Sequence, residues 1–339
     1  MKVAVLLSGG VDSTVSALLL KEQGHEVIGL TMINFDESVA VKAKEAADSI
    51  GIKHSVIDLR QQFEDKVIKY FCNAYEKGNT PNPCVECNRF IKFGALLSAA
   101  QELGAEKVAT GHYARVEYVD GRKRYLLRKG TDEKKDQSYF LYALKQEQLA
   151  RTIFPLGEWT KENVRKKAVE AGLKVARERE SQEICFAEDH MELLAGRVKF
   201  APGDVVDMRG NVIGSHKGLP FYTVGQRKGL GISGGRPIYV IRIDEDSNQL
   251  IVDDEAYLFN RSLLAGPNNF IMAEKIPDKM RVMAKIRYRA QPAPATVSTD
   301  GDLVRVDFDQ PQRAITAGQS VVFYQNDYVV GGGIIIKAM

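Results

Sequence analysis

Residues 7–13 of this chain, Leu-Ser-Gly-Gly-Val-Asp-Ser, have the composition of an anion-binding turn. They end the apolar run 3–7, which predicts a β-strand, and they lead into Val11, Val15 and Leu18 at helical spacing. Backbone N–H groups at a helix N-terminus bind phosphate, and two glycines let the chain approach the anion closely. The sequence contains no G-x-x-x-x-G-K-[ST], which disfavours a Walker-type NTPase. We therefore expect a phosphate site here, and a plain strand-to-helix turn is the alternative.

Two cysteines at C-x-x-C spacing form a second candidate site. Cys84 and Cys87 follow Pro81 and Pro83, and these prolines keep residues 78–83 out of a helix. We expect a rigid loop that carries the thiols just before a helix, whose N-terminus lowers a thiol's pKa below the usual value of about 8.5. A zinc site is a poor fit, because it needs two further ligands of suitable spacing. A pair of small buried side chains is the remaining alternative.

The chain has four cysteines, which is too few for a disulfide scaffold in 339 residues. In a reducing compartment such thiols are catalytic, metal-binding or simply buried. Cys72 lies beside Phe71 and Tyr75 in an apolar helical pattern, so we expect it in the core. Cys185 is far from the other cysteines in sequence. We consider it a candidate functional thiol only because the C-x-x-C pair is also present.

The elements that must position these residues begin with a βαβ pattern over the first 111 residues. Short apolar runs at 3–7, 27–32, 55–59 and 107–110 predict strands, and segments of helical period separate them. We therefore expect an α/β N-terminal domain with a doubly wound, mainly parallel sheet. Further predicted elements are helices at 61–77, 90–103, 146–152 and 161–171 and a hairpin at 115–128.

The second half of the chain has a different hydrophobic pattern from the first. Beyond residue 203, short alternating strands are separated by Gly, Asp and Asn, with almost no helical period. A boundary near residues 262–268 splits this half into a small β-rich middle domain and a C-terminal β-barrel. The predicted domains are 1–195, 196–265 and 266–339.

Composition narrows the possible classes of protein. The chain is 44% hydrophobic and 27% charged, which excludes wholesale disorder and a collagen-like rod. Its apolar runs fall far short of the about 20 residues that cross a bilayer, so we expect a cytoplasmic protein without a membrane span. The net charge of +3 does not by itself indicate nucleic-acid binding. Local basic clusters occur at 122–124, 165–167 and 227–228 and at Lys285, Arg287 and Arg289.

Residues 8–13, Ser-Gly-Gly-Val-Asp-Ser, resemble the SGGxDS fingerprint of the PP-loop ATP pyrophosphatases. This resemblance implies an enzyme that transfers AMP from ATP to a carbonyl oxygen and releases pyrophosphate. The fingerprint alone covers few residues and leaves several families open, including small-molecule amide ligases.

With its other motifs, the chain resembles the bacterial tRNA-specific 2-thiouridylases through nearly its whole length. The resemblance implies ATP-dependent 2-thiolation of the wobble uridine in the tRNA anticodon arm. The matching segments are TPNPCVECN at 80–88, IKF at 91–93, TGHYA at 110–114, KDQSYFL at 135–141, FPLG at 154–157, SQ at 181–182, ICF at 184–186, YTVGQRKGLG at 222–231 and RYR at 287–289.

The family implies a role for each matched residue. ATP is expected at Leu6, Leu7, Ser8, Gly9, Gly10, Val11, Asp12, Ser13, Met32 and Gly111. Contacts with tRNA are expected at Lys135, Asp136, Gln137, Arg287 and Tyr288, and contacts with the target base at Asn82, Pro83 and Cys84. His112 and Gln319 are expected to shape the site. Without the family resemblance, each assignment has an alternative. Residues 135–137 then fit the solvated start of a helix, and His112 fits a core histidine whose hydrogen bonds are satisfied.

The resemblance also implies Mg²⁺ at the phosphates and leaves two routes for sulfur. In a persulfide relay, a donor protein loads Cys185, and Cys87 later attacks it. Where many family members carry an acid/base Asp, this chain has Cys84. The third thiol favours a [4Fe–4S] cluster held by Cys84, Cys87 and Cys185, with one iron open to hydrosulfide.

Two other classes of function remain open. A PP-loop amidotransferase or ligase acts on a small molecule, and an RNA-binding protein with an inactive nucleotide site performs no catalysis. ATP–pyrophosphate exchange that tRNA stimulates, and that amino acids or ammonia do not, separates the thiouridylase from both.

Overall fold

The computed structural model describes residues 1–177, 185–186, 190–232 and 236–339. Ser181, Gln182 and Ile184, which contribute to the family resemblance, lie outside these residues, whereas Cys185 lies within them. In the described part of the chain, no helix is long and apolar enough to span a membrane.

The N-terminal sheet is parallel, in the order β3-β2-β1-β4-β7. Val3, Ala4 and Val5 of the central strand β1 have no exposed surface, because helices cover both faces of the sheet. The order reverses between β1 and β4, and the carboxyl ends of strands at such a reversal form the crevice in which doubly wound proteins bind ligands. The strands are β1 Lys2–Leu6, β2 Glu26–Ile33, β3 Lys53–Asp58, β4 Lys107–Ala109 and β7 Thr152–Ile153.

Two clusters of apolar side chains fix the helices on the sheet. One face packs against Val15 and Leu20, with Val164 from a later helix, and the other packs against Phe63 and Phe71. The predicted doubly wound α/β domain is therefore confirmed. The helices are α1 Val11–Glu22, α2 Ser38–Ser49, α3 Arg60–Phe63, α4 Lys69–Glu76, α5 Pro83–Glu86, α6 Leu96–Glu102, α7 Gln146–Ala150, α8 Lys161–Glu170 and α9 His190–Ala195, with π-helical segments at Glu64–Ile68 and Cys87–Ala95.

The C-x-x-C motif lies within a helix, which corrects the expected loop. α5 begins at Pro83, where a proline fits because the first helical N–H has no intrahelical acceptor. The chain then passes directly into the π-helical segment Cys87–Ala95 and into α6. The predicted start at residue 90 is therefore seven residues late. π-Helical segments are often found at functional sites.

The middle of the chain forms a small sheet in the order β10-β11-β8-β9. Val205, Val240, Leu250 and Val252 are its buried side chains, and Tyr222 packs with them. This sheet agrees with the β-rich texture of the sequence. Its strands are β8 Gly203–Val206, β9 Val212–His216, β10 Tyr239–Asp244 and β11 Gln249–Asp253.

The C-terminal part is a β-barrel that closes through pairing of β12 with both β15 and β17. The N-terminal hairpin of β5 and β6 joins its sheet where Arg128 pairs with Tyr328. β12 spans the predicted boundary at 265/266, since Leu263 and Ala265 already lie in the barrel core. The strands are β5 Ala114–Val119, β6 Arg124–Lys129, β12 Phe259–Phe270, β13 Lys279–Lys285, β14 Ala293–Asp300, β15 Leu303–Arg313, β16 Ser320–Gln325 and β17 Tyr328–Ala338.

Candidate active site

A cavity of about 1870 Å³ opens at the reversal between β1 and β4. Its walls come from the β1–α1 loop, the start of α5, residues 129–137 after β6, and residues 285–292 after β13. The volume exceeds the roughly 300–1,000 Å³ of a common small-molecule pocket. The residues predicted from sequence that line it are Ser8, Gly9, Gly10, Val11, Asp12, Ser13, Asn82, Pro83, Cys84, Lys135, Asp136, Gln137, Cys185 and Tyr288.

The other predicted residues are not part of the cavity wall. Among the described residues, those that do not line its wall are Leu6, Leu7, Met32, Cys87, Gly111, His112, Arg287 and Gln319. Leu7 is buried in the apolar cluster that includes α1, on one face of the N-terminal sheet. Met32 packs against the cluster on the other face of that sheet. Arg287 donates to the Ala314 carbonyl at 3.5 Å.

The β1–α1 loop is held open by its own hydroxyl groups. The Ser13 hydroxyl accepts from the Ser8 N–H at 3.2 Å and donates to the Gly10 carbonyl at 3.0 Å. Gly9 has φ +77°, and a Cβ there would lie 2.7 Å from Cβ of Lys42 on α2. The loop therefore places the first turn of α1 at the cavity wall, in the arrangement that binds phosphate.

Asp12, in that first turn, is the centre of a charged cluster. Its carboxylate accepts from the Tyr113 hydroxyl at 2.8 Å and from the Lys161 ammonium at 2.7 and 2.8 Å. The Gln137 side chain in turn accepts from the Tyr113 N–H at 3.1 Å. The β1–α1 loop, which is predicted to bind phosphate, is thus connected to the predicted tRNA-binding segment through the side chains of Tyr113 and Gln137.

Gly111 allows the β4 side of the crevice to approach this loop. A Cβ at Gly111 would lie 2.9 Å from the backbone carbon of Asp12 and from the nitrogen of Ser13. Real Cβ atoms do not come so close to backbone, so the residue supports the loop instead of touching the cavity.

Gly111→Ala is expected to displace the loop and weaken ATP binding by about 5- to 160-fold, if the about 1–3 kcal/mol that overpacking costs falls on the bound state. Isothermal titration with ATP measures the effect. Gly196→Ala is the matched control, because a Cβ at Gly196 meets open space. Equal ATP affinity in Gly111→Ala and wild type would contradict this role.

The three candidate thiols differ in their surroundings. Cys84 and Cys185 are exposed and line the cavity, whereas Cys87 is buried beside Phe71 and Phe186 in the N-terminal core. All three are free thiols. Cys72 is buried in the same core, as predicted.

Burial raises the pKa of Cys87 to about 12. Cys84 reaches solvent at the cavity, but the protein atoms packed around its sulfur still displace enough water to raise its pKa. The expectation that a helix N-terminus lowers these pKa values is therefore wrong, because the loss of water outweighs the field of the short helix. Lys92 acts in the opposite direction on both thiols, while the charge of Cys185 adds to the rise. These surroundings therefore favour the protonated form of both thiols.

A preformed metal site is not part of this arrangement. Across residues 1–177, 185–186, 190–232 and 236–339, no group of three or more His, Cys, Asp or Glu side chains is placed to hold a metal ion. Cys84, Cys87 and Cys185 are all within these ranges, so in this conformation they do not fit a [4Fe–4S] cluster as three converging ligands.

His112 is a buried side chain with a local partner. Its Nδ1 lies 2.7 Å from the Thr110 hydroxyl, and its ring packs against both Phe93 and Phe154. Burial, with the charge of Lys92 nearby, holds its pKa well below the usual 6.5. The ring is therefore neutral and shapes the core beneath the cavity.

The segment 130–138 is organised by Asp136. Its buried carboxylate accepts from the Gly130 N–H at 3.0 Å and from the Ser138 N–H and hydroxyl at 3.1 and 2.9 Å. Burial raises its pKa, and the Lys285 ammonium opposes that rise. Asp136 therefore fixes the shape of the segment, and its neighbour Lys135 presents a positive charge at the cavity.

An aromatic wall forms part of the cavity lining. The rings of Phe140 and Tyr288 lie 4.4 Å apart, and the Lys285 ammonium lies 5.3 Å from the Tyr288 ring. Both rings line the cavity. Such a surface suits a flat base with phosphates nearby.

Hydrogen bonds with the barrel hold Thr80, in the segment that precedes Cys84. The Gln319 side chain donates to the Thr80 carbonyl at 2.8 Å, and the Thr80 N–H donates to the Ala317 carbonyl at 3.0 Å. Asn82 is hydrogen-bonded to the Tyr139 hydroxyl. The C-terminal domain therefore fixes the position of the C-x-x-C helix.

Tyr113 and Lys161 are the site residues that the sequence reasoning missed. Tyr113 follows His112 in the TGHYA segment, and Lys161 follows Thr160, which caps α8 by accepting from the Asn163 N–H at 3.2 Å. No local signal relates either residue to Asp12, because 101 and 149 residues separate them in sequence.

Family models match in all three parts of the chain. A tRNA methyl transferase HUP domain matches residues 1–189, a tRNA methyl transferase PRC-barrel domain matches 191–254, and an aminomethyltransferase beta-barrel domain matches 260–335. The first alone covers more than half of the chain.

Curated relatives agree over the full length. The chain is 52% identical over 337 residues to the tRNA-specific 2-thiouridylase MnmA of Syntrophomonas wolfei, covering 99% of this chain and 100% of the relative. It is 52% identical to tRNA-specific 2-thiouridylase MnmA 1 of Caldanaerobacter subterraneus, covering 99% and 98%. A predicted subunit of tRNA methyltransferase from Methanocaldococcus jannaschii aligns at 25% identity and a TM-score of 0.36, over 50% of this chain and 76% of that one. Full-length identity at this level, with a matching domain order, shows that the chain belongs to the family of tRNA-specific 2-thiouridylases.

Proposed function

We propose that this protein replaces the 2-oxygen of the wobble uridine in tRNA with sulfur at the expense of ATP. The observation that carries the proposal is one cavity that contains the phosphate-binding loop, two exposed thiols and a basic aromatic wall. Its size leaves room for a nucleotide and an extruded base together, which disfavours the alternative of a small-molecule ligase. The cytoplasm, where thiols stay reduced, is the compartment that this function requires.

ATP binds with its phosphates on the β1–α1 loop. Mg²⁺ fits here as a companion of the nucleotide, because it is commonly held by one or two carboxylates together with substrate phosphates. Asp12 is the carboxylate beside the loop that would hold the ion, and the ion would supply positive charge to offset that of the phosphates. Leu6, Met32 and Gly111 support the nucleotide from below the loop.

The anticodon arm of tRNA covers the opposite side of the cavity. Lys135, Gln137 and Arg287 approach phosphates and sugars, while Tyr288 stacks on the extruded base. Asn82, Pro83 and Cys84 meet the edge of that base, since all three line the same cavity as the loop and the aromatic rings. Phosphate contacts position an RNA, and base contacts select the nucleotide.

The reaction requires activation, because a uridine C2 carbonyl is a weak electrophile. The 2-oxygen attacks the α-phosphorus of ATP, the bond from that phosphorus to the bridging oxygen breaks, and pyrophosphate leaves with the electron pair. Sulfur then attacks C2, and AMP leaves with the former carbonyl oxygen. The products are thiolated tRNA, AMP and pyrophosphate.

The persulfide route uses Cys185 as the carrier. A donor protein transfers a sulfur atom to Cys185, which becomes a persulfide. The outer sulfur of this persulfide attacks C2. Cys87 then attacks the Cys185 sulfur, and the S–S bond breaks so that the outer sulfur stays on the base. A Cys87–Cys185 disulfide forms, and an external thiol must reduce it before the next turnover. The exposure of Cys185 suits loading by a carrier, and the burial of Cys87 delays its attack.

The cluster route takes hydrosulfide as the donor and needs three thiolates that converge. Because the three described thiols do not form such a group, we derive no step through iron. Iron and sulfide analysis of anaerobically purified protein tests this route directly.

The test of the function is ATP–pyrophosphate exchange with three substrates. We expect exchange that depends on unmodified tRNA and that amino acids or ammonia do not stimulate. Exchange driven by a small molecule in the absence of tRNA would instead establish the ligase.

Binding of tRNA is expected to weaken steeply with salt, because cations released from phosphate drive it. Arg287→Ala and Lys135→Ala should each flatten the slope of log K against log salt by about one. Filter binding at several salt concentrations measures the slopes. Lys69→Ala is the control, since Lys69 is exposed on α4 and pairs with Asp65. A salt-independent affinity would remove the RNA part of the proposal.

A further inference from the structure

Two half-buried lysines meet where the β5–β6 hairpin joins the barrel. Lys129 is the last residue of β6 and Lys285 is the last residue of β13, and both line the cavity. Burial lowers the pKa of Lys285, and although the Asp136 carboxylate opposes that change, the charge of Lys129 adds to it. The two ammonium groups therefore repel each other.

The strand register brings the two lysines to one face of the barrel sheet. The Lys129 ammonium lies 4.7 Å from the centre of the Tyr324 ring. Tyr324 pairs with Met283 across β16 and β13, and Lys285 is two residues along β13 from Met283, on the same face. Diagonal neighbours of this kind are within reach of long side chains. Lys285 thus lies beside the ring that Lys129 contacts.

Tyrosine rings position these ammonium groups without neutralising them. The Lys285 ammonium lies 5.9 Å from the Tyr139 ring and 5.3 Å from the Tyr288 ring. An aromatic ring attracts a cation through its face and leaves the charge of that cation intact. The pair is therefore fixed in place and still able to bind an anion.

Two carboxylates next to this pair are committed to other groups. Asp136 accepts three hydrogen bonds from Gly130 and Ser138. Asp327, whose carbonyl accepts from the Lys129 N–H at 2.9 Å, pairs through its carboxylate with two arginines. In the described part of the chain, neither ammonium forms a salt bridge. Adjacent cations of this kind cost stability in the free protein, and an anion between them recovers it.

A phosphodiester is the anion that fits this pair. With Asp136 ionised, the two lysines leave one uncompensated positive charge, and each backbone phosphodiester of a nucleic acid carries one negative charge. Lys285 also contacts the ring of Tyr288, which is proposed to stack on the extruded base. The anion at this pair is thus held beside that base.

We propose that Lys129 and Lys285 together bind one of the two backbone phosphates that adjoin the wobble uridine and thereby hold the extruded base at Tyr288. The inference rests on the proposed function, because an extruded base at Tyr288 is what brings its own backbone to this pair. Lys129 belongs to the N-terminal hairpin and Lys285 to the barrel, so the bound phosphate connects two parts of the chain. Phosphate contacts position a nucleotide, whereas base contacts select it.

Transfer RNA with a single methylphosphonate linkage, on the 5′ or the 3′ side of the wobble uridine, tests the assignment because this linkage is uncharged. We expect one of the two linkages to weaken filter binding to wild-type protein about 10- to 100-fold, as the loss of a charged hydrogen bond predicts. The double variant Lys129→Met/Lys285→Met should bind tRNA of natural backbone more weakly by a similar factor. It should show no further loss with the neutral linkage, because the two changes remove the same contact.

Lys279→Met is the matched control. Lys279 is exposed at the start of β13, about 20 Å along the strand from Lys285, and its variant should keep the wild-type response to the neutral linkage. The double variant Lys129→Arg/Lys285→Arg keeps both charges and should keep most of the affinity. The Met double variant should melt no lower than wild type, because it removes a repulsion.

Independent losses from the Met double variant and from both neutral linkages would overturn the proposal. Wild-type tRNA affinity in that variant would also overturn it. A loss of ATP affinity in titration calorimetry would assign the pair to the nucleotide instead. Wild-type protein that binds no tRNA at all would contradict the proposed function itself, which distinguishes the two failures.

Discussion

Asp12→Ala lowers the rate of tRNA thiolation at least about a thousandfold and leaves tRNA affinity within about twofold of wild type. The substitution removes the acceptor that holds both the Tyr113 hydroxyl and the Lys161 ammonium, and it removes the carboxylate beside the ATP phosphates. A thousandfold loss corresponds to about 4 kcal/mol, which the removal of several charged hydrogen bonds at once can account for. Single-turnover thiolation and filter binding of tRNA measure the two effects.

Glu22→Ala is the matched control for Asp12→Ala. Glu22 lies at the other end of α1 and also pairs with a lysine of α8, so its removal breaks an equivalent ion pair far from the loop. We expect normal thiolation in this variant. ATP-dependent turnover retained by Asp12→Ala would contradict the placement of the phosphates.

Cys87→Ser and Cys185→Ser each abolish multiple-turnover thiolation, because both sulfur routes need these two thiols. Cys72→Ala, by contrast, should lose only stability, about 1–2 kcal/mol for a small truncation in the core. Thiolated nucleoside is measured by mass spectrometry after digestion of the tRNA. Full activity in Cys185→Ser would exclude both routes.

Cys84→Ala separates the two sulfur routes. In the persulfide relay, Cys84→Ala retains substantial activity, and a Cys87–Cys185 disulfide appears after one turnover. In the cluster route it loses activity together with bound iron and sulfide. Non-reducing peptide mapping and metal analysis of the same preparation give the answer.

Much of the N-terminal fold follows from local patterns. The apolar run 3–7 predicts β1, and Val11, Val15 and Leu18 predict the helix whose first turn carries Asp12. Strands 27–32 and 107–110 were likewise predictable, because parallel strands buried on both faces need continuous apolar residues. The hairpin at 115–128 is present, but nothing in its sequence indicates that it joins the barrel sheet.

The start of the C-x-x-C helix was harder to predict. Two prolines before Cys84 indicate a loop, yet Pro83 occupies the first helical turn, where it does no harm. The raised pKa of Cys87 could not be predicted from the sequence either. It depends on burial against Phe71 and Phe186, which are distant along the chain.

The charged centre of the site depends on tertiary contacts alone. Lys161 and Tyr113 meet Asp12 only because α8 packs on α1 and β4 lies beside β1. Residue types near a motif cannot reveal such partners. The motif therefore predicts the phosphate loop, whereas only the folded chain shows which side chains contact its aspartate.

Transfer of oxygen from tRNA to AMP tests the central claim most directly. Transfer RNA labelled with ¹⁸O at the 2-position of the wobble uridine is incubated with the protein, ATP and a sulfur donor, and the AMP is analysed by mass spectrometry. Adenylation of the base predicts one ¹⁸O in each AMP, in step with formation of thiolated tRNA. AMP without the label would show that ATP is cleaved by another acceptor and would contradict the account.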